Sequence, residues 1–204
     1  MAITKVTIWN FALHDIGSTR TVAEGDGSRE AQSCALFWDA VLDGVTQEAD
    51  WYFLSAYKVL TAPAESPNND WMYGYALPSY CAKVRRVVRA TMGKTDPNPP
   101  PFTLGLTVAG DGTATRVLFT DEPPDIEIEY TYKGVSIPYD AYPLFSLTLG
   151  WALAKELAPG LAKINGASKL AAQQYDIALQ RALLVNEQQR VLNQPESEFI
   201  RARD

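Results

Sequence analysis

Residues 69–88 read NDWMYGYALPSYCAKVRRVV. The run sets Trp71, Met72, Tyr73, Tyr75, Leu77 and Tyr80 ahead of a Leu-Pro turn, and a basic, β-branched segment follows. Each aromatic carries a large apolar area, so four of them within ten residues must be buried in a core or against a partner. No catalytic set of nucleophile, base and metal ligands stands beside them. The stretch therefore reads as a packing or docking element. Its place between a helical region and a basic strand makes it the expected hinge between a bundle and a sheet, with Trp71 and Tyr75 packed inside the subunit.

Downstream, Ala82–Ala90 alternates, with Lys83, Arg85, Val87 and Arg89 on one face and Val84, Arg86 and Val88 on the other. The set Lys83, Arg85, Arg86, Arg89 and Lys94 is interrupted by no acid. One role for it is contact with a nucleic-acid backbone or an acidic partner. The other is pairing with an acidic strand face at Asp125, Glu127 and Glu129, and opposed charged strands favour this second role. Asp96–Pro101 holds four prolines and must be a loop. Phe102–Ala109 and Thr113–Thr120 flank Gly110-Asp111-Gly112, a hairpin signal, and Ile126, Ile128 and Tyr130 alternate with Glu127, Glu129 and Thr131. A small antiparallel sheet over about 82–133 is expected.

Both flanks of this region read as helix. Val6, Trp9, Leu13 and Ile16 recur at three- and four-residue steps, predicting a helix over about 4–15 that Gly17 ends. A second helix, about 28–50, has Ser28 or Asp26 as its cap and a stripe through Ala31, Cys34, Trp38, Leu42, Val45 and Ala49. The two are expected to form an antiparallel pair. Trp51–Leu60 fits either an extended segment or a continued helix, and Thr61–Asp70 reads as a loop. Leu144–Ala158 is apolar nearly all round, which predicts a buried helix over about 143–158 stopped by Pro159-Gly160. The last helix, about 165–192, carries Tyr175, Leu179, Ala182, Val185 and Leu192 on one stripe, and Ala171, Ala172 and Ala178 allow close helix approach. Gln194–Asp204, QPESEFIRARD, is mostly charged and is expected to be a flexible tail, with Phe199 and Ile200 its large apolar residues.

The 204 residues have ordinary globular composition, 47% apolar and 21% charged. Eighteen basic against 24 acidic residues give a net charge of −6, which disfavours a broad grip on phosphate. Cys34 and Cys81 share no motif spacing and read as two buried free thiols, a bridge being the alternative. The N-terminus, MAITKVTIWNFALHDIG, is too polar for a signal peptide or membrane span, and no apolar run reaches about 18 residues anywhere. A cytosolic protein is expected.

Catalytic constellations are scarce. His14 is the single histidine, so clusters of several His ligands are excluded and a Ser-His-Asp triad would have to be built inside an amphipathic helix. Gly25-Asp26-Gly27 and Gly110-Asp111-Gly112 lack the following Gly-Lys-Ser/Thr of a phosphate loop and read as turns. Glu24 with Asp26, or Asp121 with Glu122, would supply the two carboxylates of a glycosidase, although such pairs abound in acidic proteins.

The segments NFALHDIGS, DAVLDGVTQEADWYFLSAYKVL, WMYGYALPSYCAKVRRVV and YPLFSLTLGWALAKELAPGL, followed by an Ala-rich helix, together resemble the head-to-tail adaptors of tailed bacteriophages. They are most similar to the tail tubular protein A-like family of short-tailed phages. The likeness spans about residues 3–192, and nothing motif-like aligns in Gly93–Gly134. It implies a non-enzymatic ring, usually of twelve copies, that docks under a portal protein at the head–tail junction of the virion after genome packaging, in the host cytoplasm during assembly. The ring carries nozzle or other tail proteins and lets genomic DNA pass, with no sequence-specific nucleic-acid binding, no cofactor, no metal and no membrane contact. It further implies portal docking through the C-terminal tail, here Glu196, Phe199, Ile200, Arg201 and Arg203, while Lys83, Arg85 and Arg89 would face the DNA channel or a neighbouring subunit.

The fold expected is α+β, mainly α: a helical bundle with an inserted small antiparallel β-sheet, one adaptor domain over 1–193, and an extended portal-docking tail over 194–204. The alternative function is a cell-wall glycan hydrolase associated with the tail. A DNA-binding regulator is a third class, weakened by net charge and by the lack of a recognition helix.

Overall fold

The computed structural model describes residues 2–18, 21–64, 70–89, 98–108, 110–133, 137–163 and 165–189. Among them are four α-helices, α1 (Lys5–Asp15), α2 (Arg29–Glu48), α3 (Pro143–Leu161) and α4 (Ala167–Gln189). Seven strands lie between α2 and α3: β1 (Ser55–Leu60), β2 (Pro63–Ala64), β3 (Tyr73–Ala76), β4 (Cys81–Val88), β5 (Thr103–Val108), β6 (Ala114–Thr120) and β7 (Ile126–Tyr132). They form two antiparallel sheets, ordered β1-β7-β4 and β2-β3-β6-β5.

This overturns the expectation of a mainly helical bundle with one small inserted sheet. The strands begin at Ser55 rather than near residue 82, and the two sheets enclose a hydrophobic core of their own. Leu60, Val84, Val87 and Ile128 enter that core from one sheet, Tyr75 and Leu118 from the other. The fold is α+β with two cores, the second built by the helices. The sheets escape a pattern reading because β2 and β3 are two and four residues long, too short for an alternation to show.

Residues 70–88 do not hinge a bundle to a sheet. β3 belongs to the four-stranded sheet and β4 to the three-stranded one, so the Leu77-Pro78 turn carries the chain from one sheet to the other. Tyr75 is fully buried between them, and its hydroxyl donates to the Glu122 carbonyl at 3.0 Å. Trp71 is half-buried, while Met72 and Tyr80 are exposed. The join between helices and sheets is instead Asp50–Leu54, which ends in a short 3-10 turn at Tyr52–Leu54. There Trp51 is buried, donates Nε1–H to the Val45 carbonyl at 2.8 Å, and meets Phe145 edge-on with ring centres 5.0 Å apart.

Strict alternation also fails in β4. Its register on β7 shifts between Cys81 and Lys83 and again between Val84 and Arg86. A bulge turns one extra residue out of the ladder. Val84 and Val87, which alternation would place on opposite faces, therefore both reach the core.

In the helical layer α3 is central, as its all-round apolar surface demands, and α1, α2 and α4 each pack on it. This replaces the expected α1–α2 pair; those helices meet through Trp9, edge-on to Trp38 at 6.3 Å. Gly150 lets α1 approach closely, because a Cβ there would stand 2.3 Å from Phe11 Cδ1. α3 overruns the expected stop, with Pro159 inside its last turn and the helix ending at Leu161. So near the end, proline forfeits one helical hydrogen bond without breaking the helix. Ser28 caps α2 by accepting the Ala31 N–H at 3.3 Å, and Asp26 in turn accepts the Ser28 N–H at 3.0 Å.

Candidate interaction surfaces

α4 has two faces of different character. The inward one, Ala167, Ala171, Tyr175, Ala178, Leu179, Ala182 and Asn186, is buried, and its alanines allow the close approach to α3. Tyr175 donates its hydroxyl to Glu48 Oε2; burial first and the Glu48 carboxylate second push its phenol well above the ordinary value. The outward face carries Leu170, Ile177 and Leu184, which are 49%, 45% and 66% exposed. They recur every seven residues, so they stand in one row along the helix.

A second apolar row lies on β5. Leu104, Leu106 and Val108 share one strand face and are 43%, 62% and 68% exposed. β5 is the outermost strand of its sheet, pairing with β6 alone. Leu104 stands opposite the fully buried Leu118, Leu106 opposite Arg116, and Val108 opposite Ala114, so the row starts at the core and runs outward from it. Gly105, on the other face, leaves room for the Phe119 ring, since a Cβ would come within 2.7 Å of its Cε2.

Where the Trp51–Phe53 strap meets α3 and α4, an apolar cleft of about 170 Å³ opens, lined by Tyr52, Phe53, Tyr142, Phe145, Val185 and Gln189 among others. Phe53 and Tyr142 stack with centroids 3.8 Å apart. A larger cleft of about 540 Å³ lies between α1, α2 and the end of β7, where charged Lys5, Glu24, Asp39, Asp43 and Lys133 stand among apolar residues such as Trp38 and Ile137.

The basic strand spends its charge inside the subunit. Lys83 Nζ donates to Asp50 Oδ1 at 3.0 Å, and Arg86 Nε to Glu129 Oε2 at 2.6 Å. Arg85, whose side chain is 8% exposed, donates to the Trp51 carbonyl at 2.7 Å and to Thr131 Oγ1 at 3.0 Å, with Asp50 and Glu129 each 3.8 Å away. Arg89 Nε donates to Glu122 Oε1 at 3.0 Å. Burial alone would raise the Glu129 carboxyl, but the Ser55 hydroxyl, Arg86 and Arg85 together hold it below the ordinary value. Of the acids expected opposite this strand Glu129 pairs with it, and Asp50 and Glu122 supply the other partners. Lys94 lies outside the described residues, as do Glu196, Phe199, Ile200, Arg201, Arg203 and Leu192.

The residues weighed for catalysis are dispersed or employed in structure. Glu24 Oε1 accepts from Lys5 at 2.9 Å, and Asp26 holds the α2 cap. Asp121 Oδ1 accepts the Met72 N–H at 3.0 Å, and Glu122 pairs with Arg89. The His14 side chain is 88% exposed, with Nδ1 3.7 Å from Asp15. Both cysteines are free and buried; burial first, then Glu30, pushes the Cys34 thiol up to about 12. Among the described residues no group of three or more His, Cys, Asp and Glu side chains is placed to hold a metal ion.

The Leu170-Ile177-Leu184 row has a seven-residue spacing in the chain, but the denser buried stripe on the same helix overlies it. No protein-family model matches the chain, and no curated protein matches it.

Proposed function

We propose that the chain is a structural head-to-tail adaptor of a tailed-phage virion, assembling with copies of itself beneath a portal protein and carrying nozzle or other tail proteins. The observation that carries this reading is the outward row of Leu170, Ile177 and Leu184 on the longest helix. Apolar area arranged in a row and left uncovered by the described residues is area for another protein to cover. The β5 row adds a second such face. The resemblance of the ordered segments to phage adaptors supports the same reading, and a net charge of −6 suits a channel wall past which DNA must slide without sticking.

In this reading portal docking falls to the segment 194–204, with Phe199 and Ile200 as apolar anchors and Arg201 and Arg203 as charge partners. Lys83, Arg85 and Arg89 serve the subunit's own fold, since each already holds a carboxylate or a main-chain carbonyl. The test is the mass of the purified chain alone and after mixing with its portal protein. A ring formed on the portal supports the proposal. A chain that leaves the portal unbound refutes it.

A further inference from the structure

We propose that the apolar cleft beside the Trp51–Phe53 strap is the seat of this chain's own Phe199-Ile200 pair, turned back from the end of α4. Each free copy then holds its portal anchor against itself. The seat stands on the cleft and the segment alone; its part in portal docking rests on the adaptor reading above. None of the residues lining the cleft carries a charge, and the rings of Tyr52, Phe53 and Tyr142 are only half-buried there. Its volume of about 170 Å³ falls below the roughly 300–1,000 Å³ of a small-molecule pocket and suits one or two apolar side chains.

Position picks the occupant. Gln189 lines the cleft and is the last residue of α4, so residues 190–204 set out from the cleft's own rim. A chain reversal takes about four residues, so Val191 and Leu192 fall short of one that starts at Gln189. Phe199 and Ile200 stand ten and eleven residues beyond it, and a ten-residue tether spans roughly 16–19 Å on average. Pro195 steers the residue before it out of helical backbone, which lets the chain leave the α4 axis. Tethering sets the local concentration of the pair on the order of millimolar, so the cleft fills within one chain before a second copy reaches it.

Charge sets the direction of the seated segment. Glu198 precedes the apolar pair and Arg201 follows it. At the cleft, Asp140 stands next to Ala141 on one wall, and Arg181 lies one helical turn before Val185 on the other. Both are exposed, and among the described residues neither forms an ion pair. Arg201 set at Asp140 and Glu198 at Arg181 join opposite charges, whereas the reverse crossing would bring like charges together. The other acids nearby do not compete. Asp50 accepts from Lys83 at 3.0 Å, and Glu187 stands about 160° around α4 from Gln189.

One apolar pair cannot fill the cleft and the portal at once. The contact is weak, so it acts as a latch that the portal displaces and adds little to the stability of the fold.

Disulfide trapping in the full chain reads the seat. Gln189→Cys with Ser197→Cys is compared with Glu187→Cys with Ser197→Cys, a control whose first thiol lies on the far side of α4; both leave residues 198–201 intact. The native thiols are buried, so the wild-type background serves, and circular dichroism checks each fold. Under mild oxidation at low protein concentration the first pair is expected to close within one chain at least about fivefold faster than the control. The tether difference alone gives less than about twofold. Adding Phe199→Ser and Ile200→Ser should bring the first pair down to the control rate. Equal rates for the two pairs, a rate that the serines leave unchanged, or products that link two chains overturn the proposal.

Asp140→Arg should slow closure of the first pair by about threefold, and adding Arg201→Asp should restore it. A double variant as slow as the single one overturns the charge pairing. Against the portal protein, the closed form of the first pair should bind at least about fivefold more weakly than its reduced form. Equal binding by the two forms overturns the latch; binding by neither refutes the adaptor reading alone, since the trapping rates stand without it.

Discussion

Asn186 Oδ1 accepts the Tyr52 main-chain N–H at 2.8 Å while its Nδ2 donates to the Asp50 carbonyl at 3.2 Å. One buried amide near the C-terminal end of α4 thereby holds the strap at two points, Asp50 and Tyr52, and β1 follows it from Ser55. On the same strap Arg85 reaches the Trp51 carbonyl from β4. The helical layer and the sheets are therefore locked together by side chains that satisfy main-chain groups of the connection.

Replacing Asn186 strips a part-buried main-chain donor and a part-buried main-chain acceptor of their partner at once. Asn186→Leu should lower the unfolding free energy by about 1–3 kcal/mol, since a fully buried orphaned group costs about 1–3 kcal/mol and these two are partly open to water. Urea unfolding measures it. A change within about 0.5 kcal/mol, typical of an ordinary surface site, would remove the strap's role.

Gly150 faces Phe11 at a distance no side chain tolerates. Gly150→Ala should destabilise despite alanine's better helix propensity, because overpacking costs about 1–3 kcal/mol against a propensity gain of about 1. Combining it with Phe11→Ala should recover part of the loss. A double-mutant cycle with no coupling would show that the ring moves aside freely.

Glu129 links Ser55 on β1 to Arg86 on β4 across the sheet's central strand. Its folded carboxyl titrates below the ordinary value of 4.5, so the folded state binds fewer protons than the unfolded one. Its contribution is therefore present above that value and is lost as pH falls through the folded pKa. Thermal unfolding from neutral pH down into this acid range should show wild-type stability falling more steeply than that of Glu129→Gln. Parallel profiles would contradict the assignment.

Much of the helical layer is legible in the sequence, because α1, α2 and α4 alternate apolar and polar residues at helical spacing and α3 is apolar on every side. The sheets are not. β1 follows directly on the aromatic Trp51–Phe53, whose pattern also suits a helix, and the β4 bulges scramble an alternation that the residues alone present as regular. The basic strand shows its charge in the sequence but not its partners, since Asp50 and Glu122 come from segments that only the folded chain brings near. On α4 the buried stripe is denser than the exposed row, so the stronger pattern concealed the surface that carries the proposed function.

Portal docking is proposed for 194–204, which lies outside the described residues. Deleting Gln194–Asp204 should abolish binding to the portal while leaving the thermal transition of the free chain unchanged. Undiminished binding of the truncated chain would move the docking surface elsewhere.

The most direct test of the central claim is the mass, by native mass spectrometry or light scattering, of the purified chain alone and in the presence of its portal protein. A small species alone that becomes a closed ring of many copies on the portal is the predicted result. A chain whose mass is the same with and without the portal, and that leaves the portal bare, would contradict the account.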